Sequence, residues 1–196
     1  MNAEDRHNLM TFITVALGFL GITWLYSSGR GTMNETTNKN NNSQSNSNSS
    51  NNNSNSNMSN SNLPRGYRNN NPLNIRISKA NQWQGEVANN TDGVFEQFVS
   101  MEYGYRAALK LIQNYINNYG LRTVADIIAR WAPNNENNTQ GYISRVCNST
   151  GWTPAKVIDP YNREDMTDLV YAMALVENGV TILPDYTQIY KGWEML

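Results

Sequence analysis

SMEYGYRAALKLIQNYINNYG, Ser100 to Gly120, is where the apolar period of this chain becomes helical. Tyr105, Ala108, Leu109, Ile112, Tyr115, Ile116 and Tyr119 recur at three- and four-residue steps, so they share one stripe of a helix opened by Ser100 and closed by Gly120. Downstream the same period continues. Thr123 and Asp126 read as a capping box that starts a helix through Val124, Ile127, Ile128 and Trp131, stopped by Pro133. A further helix is expected from about Thr139 to Asn148, and Thr153-Pro154 is expected to open a short helical turn. Asn162 then begins a longer helix ending at Asn178-Gly179, and a last one follows Asp185 with Ile189 and Trp193. Upstream the pattern is different. Leu73–Ile77 and Val94–Phe98 alternate apolar and polar residues, so two short strands joined through the Gly85–Gly93 region are expected.

Composition divides the chain into four. Residues 1–8 are a short polar N-terminus. Leu9–Tyr26 runs 18 residues without a charge, about 27 Å as a helix, so a transmembrane helix is drawn at 9–27. Trp24 and Tyr26 suit an interfacial belt. A cleaved signal peptide is the alternative, weakened by Glu4 and Asp5 beside Arg6 and by the lack of an A-x-A site. Residues 28–62 are a linker. From Asn38 to Asn62 every residue except Lys39, Gln44 and Met58 is Asn or Ser, a composition that cannot offset its ordering entropy and so is expected to be disordered. Residues 63–196 form the globular domain, large enough for one core.

The inventory of reactive groups excludes several chemistries. The chain has a formal charge of −1, and residues 63–196 hold 12 basic and 13 acidic side chains, also −1, so no basic field offers itself to nucleic acid. One cysteine, Cys147, permits neither an internal disulfide nor a multi-cysteine zinc site. The one histidine, His7, precedes the apolar run, which removes Ser–His–Asp and Cys–His catalysis from the domain. No metal or other cofactor is expected. Carboxylates are left to carry the chemistry.

Among them Glu177 is distinctive, because it follows Met173 by four and Val170 by seven and so lies on the apolar side of its helix. Burial and the negative end of the helix dipole both raise a carboxyl pKa, as a general acid requires; a boundary Glu reaching solvent is the alternative. Glu136 lies in a polar loop and reads equally as a helix-start acid. Glu96 alternates with Phe95 and Phe98 and faces either a groove or water. Aromatic residues able to line a sugar groove, or equally the core, include Tyr67, Trp83, Tyr103, Tyr142 and Trp152.

The run Arg68-Asn69-Asn70-Asn71-Pro72-Leu73-Asn74-Ile75-Arg76 brings in a family. With Trp83-Gln84-Gly85, Phe95-Glu96-Gln97-Phe98, Tyr103-Gly104-Tyr105-Arg106-Ala107, Arg130-Trp131-Ala132-Pro133 and Glu136-Asn137-Asn138-Thr139, it resembles phage virion-associated proteins and endolysins of lysozyme-like fold. The resemblance covers residues 64–193. It implies a mainly helical, lysozyme-like α+β domain, with a small β-hairpin lobe and about five helices, and a lytic transglycosylase or muramidase activity on peptidoglycan. The hairpin lobe is also similar, more loosely, to that of bacterial glucosaminidases. There the catalytic Glu sits on a helix ahead of the hairpin, whereas here Ala174-Leu175-Val176-Glu177-Asn178-Gly179 follows it, which implies a circular permutation with Glu177 as the acid. The pairing is Glu-Asn-Gly rather than Glu-Ser-Gly, and no motif marks a second carboxylate.

The expected reading is therefore a membrane-anchored enzyme of a lipid-containing phage particle, or of the bacterial envelope, that cuts glycan strands. Glu177 is catalytic, Glu136 is the second choice and Glu96 a weaker one; Asn70, Asn71, Trp83, Thr139 and Tyr142 bind substrate. The expected partners are peptidoglycan and, through residues 9–27, a lipid bilayer, with other virion proteins beside them. A groove that binds glycan without cutting it is the competing reading.

Overall fold

The computed structural model describes residues 62–135 and 137–196. The transmembrane helix expected at 9–27 and all but the last residue of the linker expected at 28–62 lie outside the described residues. No helix among the described residues is long and apolar enough to cross a membrane.

The described residues form six helices: α1 Arg65–Arg68, α2 Met101–Tyr119, α3 Val124–Trp131, α4 Thr139–Thr150, α5 Arg163–Asn178 and α6 Tyr186–Glu194. The five longer ones stand where the sequence period places them. Their ends follow the local chemistry. Gly120 and Gly151 take left-handed backbone at φ 68° and 73° after α2 and α4. Thr123 and Asp126 close the capping box of α3, Asp126 N–H donating to Thr123 Oγ1 at 3.1 Å and Thr123 N–H to Asp126 Oδ2 at 3.2 Å. Asn138, Asn162 and Asp185 accept from the first turns of α4, α5 and α6.

The core lies around α5, whose residues from Met166 to Leu175 are buried on nearly every side except at Asp168. α2 packs on α6 at close range, since a Cβ on Gly192 would stand 2.9 Å from both Arg106 N and Glu102 O. Tyr105, Ala108, Leu109, Ile112 and Ile116 supply the buried stripe of α2. Tyr119, expected on that stripe, is 58% exposed, and Tyr115 is only partly buried. Both rings line a surface groove, Tyr115 while still packed against the core.

The expected α+β class does not hold. The described residues contain no strand, and in place of a β-hairpin lobe there are isolated bridges, Arg76 with Phe95 and Glu86 with Phe98, plus Thr123 with Val157 elsewhere. The lysozyme-like α+β fold inferred from that lobe is corrected accordingly to an all-helical one with irregular loops. Asn71 explains why the ladder fails to extend. Fully buried, it donates through Nδ2 to the carbonyls of Ile75 and Glu96, both at 2.9 Å, and its Oδ1 accepts from Ile75 N–H at 2.9 Å. Ile75 O still accepts from Glu96 N–H at 2.8 Å, but the amide side chain takes up Ile75 N–H and Glu96 O, which would otherwise pair next. Asn70 and Asn74 both sit at φ 50°, which bends the segment into consecutive turns instead of a pleat.

Two smaller differences have equally local causes. α1 was not anticipated, being a single turn held by Arg68 N–H on Pro64 O and Asn69 N–H on Arg65 O, both 3.1 Å. The helical turn expected after Thr153-Pro154 is a non-helical turn, closed by Lys156 N–H on Thr153 O at 3.0 Å. The carbonyls of Pro154 and Lys156 instead accept from Ala125 and Val124 N–H, both at 3.0 Å, and so satisfy free donors at the start of α3.

Replacing Asn71 by Ala strands several buried backbone groups at once. Urea unfolding of Asn71→Ala is expected to show a loss of about 2–4 kcal/mol, and a loss within experimental error would show that the amide does not organise this turn.

Candidate active site

Glu177 lies in the last turn of α5, where the helix meets the Asn71–Asn74 turn. The junction is fixed by its neighbour. Asn178, buried at the end of α5, donates through Nδ2 to Pro72 O at 2.6 Å and to Ala174 O at 3.0 Å. Gly66 of α1 is the only residue type that fits against this junction. A Cβ there would stand 2.5 Å from Asn178 Oδ1 and 2.9 Å from Asn71 O.

Three side chains from three elements converge on the Glu177 carboxyl. Asn74 Nδ2 donates to Oε2 at 3.0 Å, while Tyr142 Oη–H of α4 and Trp131 Nε1–H of α3 donate to Oε1 at 3.0 and 3.2 Å. Burial raises the carboxyl pKa above its ordinary value, and the three donors, with the charge of Arg145, offset part of that rise. The position at the helix C-terminus opposes ionisation as well. Tyr142 is itself held protonated, first by burial and then by the Glu177 charge, so it remains a donor. The site thus shifts the carboxyl toward its protonated form while keeping partners ready for the carboxylate.

The carboxyl opens onto a groove of about 660 Å³ between the Leu73–Asn81 loop, α2 and α3. Its surface is amide-rich and aromatic: Asn74, Asn81, Asn114 and Asn137 alternate with Phe95, Tyr115, Tyr119 and Trp131. Tyr115 and Trp131 meet edge to face at 6.3 Å between centroids, and Arg130 lies over both Tyr115 and Tyr119 at 5.8 and 5.1 Å. Among the described residues lining the groove, Glu177 is the single carboxylate. Aromatic faces beside amides suit the apolar faces and polar edges of a sugar.

The other expected site residues fall in different places. Glu136 lies outside the described residues, although its neighbour Asn137 lines the groove. Glu96 is buried at 1% exposure away from that lining; burial raises its pKa, and Oε1 accepts from Ser78 N–H at 3.2 Å. Asn70 and Asn71 build turns: Asn70 Nδ2 donates to Phe98 O at 2.9 Å, and Asn71 is committed as described. Thr139 is buried, its hydroxyl donating to Ala132 O. Tyr142 touches the carboxyl rather than the groove wall. Trp83 lines a second, adjoining hollow. Tyr67, Tyr103 and Trp152 pack against the core.

Sequence reasoning missed Asn74 and Trp131 as partners of Glu177. Asn74 looked like a strand residue, although an Asn between two apolar residues, three after another Asn, is also a turn signal. Trp131 looked like core, and its place in the last turn before Pro133 was the sole hint that its indole N–H reaches a site.

A carboxyl with a raised native pKa contributes stability that is fully present below its unfolded pKa, about 4.3, and lost as pH rises through the native value. Glu177→Gln is therefore expected to melt at a higher temperature than the wild type at pH 7, with the difference vanishing near pH 4. A lower melting temperature at pH 7 would show that the ionised carboxylate is favoured in the fold.

The chain matches no family model. It is similar to Protein P5 of Pseudoalteromonas phage PM2, with 40% identity over 132 residues that cover 66% of this chain and 80% of that protein. At that identity and coverage, the chain belongs to the family of this bacteriophage protein.

Proposed function

We propose that this phage protein cleaves the glycan strand of peptidoglycan with Glu177 as its acid, and that it serves as a virion component in breaching the host wall. The observation that supports this most is the partly buried Glu177 carboxyl, held by Asn74, Tyr142 and Trp131 at the floor of an aromatic, amide-rich groove. The apolar run at 9–26 is the feature that would keep such a domain at a bilayer, in the particle or in the bacterial envelope.

The chemistry needs one group in two states. Protonated Glu177 gives its proton to the glycosidic oxygen as the bond between N-acetylmuramic acid and N-acetylglucosamine breaks, and positive charge develops on the sugar. The resulting carboxylate, steadied by the three donors, then takes the proton of the same sugar's 6-hydroxyl as that oxygen closes on the anomeric carbon. The product is a 1,6-anhydro sugar, and Glu177 is protonated again. Hydrolysis would require a second carboxylate about 5–10 Å away to act on water or sugar; Glu136 is the residue to substitute if reducing ends are released.

Glu177→Gln is expected to reduce soluble fragment release from purified sacculi by at least about 10²-fold with unchanged circular dichroism. Wild-type release is expected to fall as pH rises through the raised pKa, because the acid form is lost. Full activity in Glu177→Gln would refute the assignment. Sacculus binding without fragment release by the wild type would establish the competing reading, a glycan-binding structural protein.

A further inference from the structure

One wall of the groove is a loop held at both ends by carboxyls. Ser78, Ala80 and Asn81 line the groove, and their turn is closed by Asn81 N–H on Ser78 O at 3.1 Å. At the start of the loop Ser78 N–H donates to Glu96 Oε1 at 3.2 Å. At its end Trp83 N–H donates to Glu86 Oε2 at 3.3 Å.

The backbone brings these two carboxyls to one face. Glu86 stands opposite Phe98 in an antiparallel bridge, flanked by Val87 N–H on Gln97 O at 2.8 Å and Val99 N–H on Gly85 O at 2.9 Å. Residues two apart in extended chain share a face, so Glu96 lies diagonal to Glu86, within reach of long side chains. Glu96 is 1% exposed, and its Oε2 is buried without a hydrogen-bond partner among the described residues. Burial pushes its carboxyl up, the Ser78 hydrogen bond opposes this, and the Glu86 charge, within hydrogen-bonding range, adds to the rise. Of the cations nearest in sequence, Arg76 lies over the Phe95 ring at 5.5 Å and Lys79 is exposed. Two ionised carboxylates offer acceptors only and repel each other. A single proton between them turns that contact into a charge-assisted hydrogen bond.

We propose that Glu86 and Glu96 share one proton and form a pH-sensitive clasp under the groove loop. With the proton in place, the pair holds both ends of the Ser78–Trp83 segment. Without it, the Trp83 end is released. Glu96 is buried and fixed by Ser78, whereas Glu86 is exposed, so Glu86 is the partner that moves when both are ionised. Its turn into water takes Oε2 away from Trp83 N–H and loosens the groove wall at Asn81. The clasp is independent of the chemistry at Glu177: it sets the shape of the groove whatever occupies it.

Hydrogen exchange of the Trp83 backbone amide reads the clasp directly. It is followed by NMR in the full chain, upward in pH from the ordinary glutamate value of about 4.3, and corrected for the intrinsic exchange rate. Protection of Trp83 N–H is expected to fall about two- to tenfold as the pair loses its proton, while Ser78 N–H stays protected. In Glu96→Gln the amide can donate to Glu86 and still accept from Ser78, so Trp83 is expected to stay protected across the whole range. The exposed Glu86→Gln is expected to do the same from the other side, which keeps the test decisive if the buried substitution fails to fold. Constant protection in the wild type, or a fall that persists in either variant, would overturn the clasp. A fall whose midpoint is displaced by added Ca²⁺ would put a cation in place of the proton and overturn it as well.

Discussion

Asn178 Nδ2 donates at 2.6 Å to the carbonyl of Pro72, across 106 positions of sequence, and ties the C-terminal end of α5 to the Asn71–Asn74 turn. The turn itself exists because Asn71 has no exposure and spends its amide on Ile75 and Glu96. Without the first amide, the end of α5 loses its tie to Pro72; without the second, the turn loses the side chain that organises it. Glu177 is caught between them, one residue from the tie and within 3.0 Å of Asn74 Nδ2. Buried amides of this kind contribute modest net stability each, but leaving their partners unmade is expensive, so they specify one arrangement.

That arrangement sets the acidity of the carboxyl. Burial and the helix terminus favour the neutral form, while Asn74, Tyr142 and Trp131 supply donors that keep the anion within reach. A fully apolar surrounding would give a carboxyl unable to act as base, and an exposed one would be ionised before any substrate arrived. For the proposed cleavage, the groove is the surface that would hold the substrate over the acid. Part of its aromatic and amide wall, Asn114, Tyr115 and Tyr119, comes from the outer face of α2, the same helix whose inner face, at Tyr105, Leu109 and Ile112, fills the core.

Helices were legible in the sequence because their signals are local. The capping box at Thr123 and Asp126, the glycine after α2 and the Asn-Gly pair at the end of α5 mark their own boundaries. Glu177 was legible for the same reason, since its spacing from Val170 and Met173 places it on the apolar side of α5. The loop region was not. Leu73–Ile77 and Val94–Phe98 alternate as strands do, and nothing in their own pattern reveals that Asn71 will intercept the ladder or that Asn70 and Asn74 will turn the chain at φ 50°. Nor does the sequence reveal that Asn70, Asn71 and Thr139 bond backbone carbonyls, because an amide or hydroxyl looks alike in sequence whether it faces a ligand or a buried carbonyl. Asn74 and Trp131 went unrecognised because their role depends on three elements meeting at one carboxyl.

A direct test is a ¹³C NMR titration of the Glu177 side-chain carboxyl in the full chain, assigned by its absence in Glu177→Gln. The Glu177 resonance is expected to titrate above the ordinary glutamate value of about 4.3, and to shift downward when the burial at the end of α5 is loosened by Asn178→Ala. A midpoint at or below the ordinary value in the wild type would contradict this account, since a carboxylate already ionised at neutral pH cannot deliver the proton on which the proposed cleavage depends.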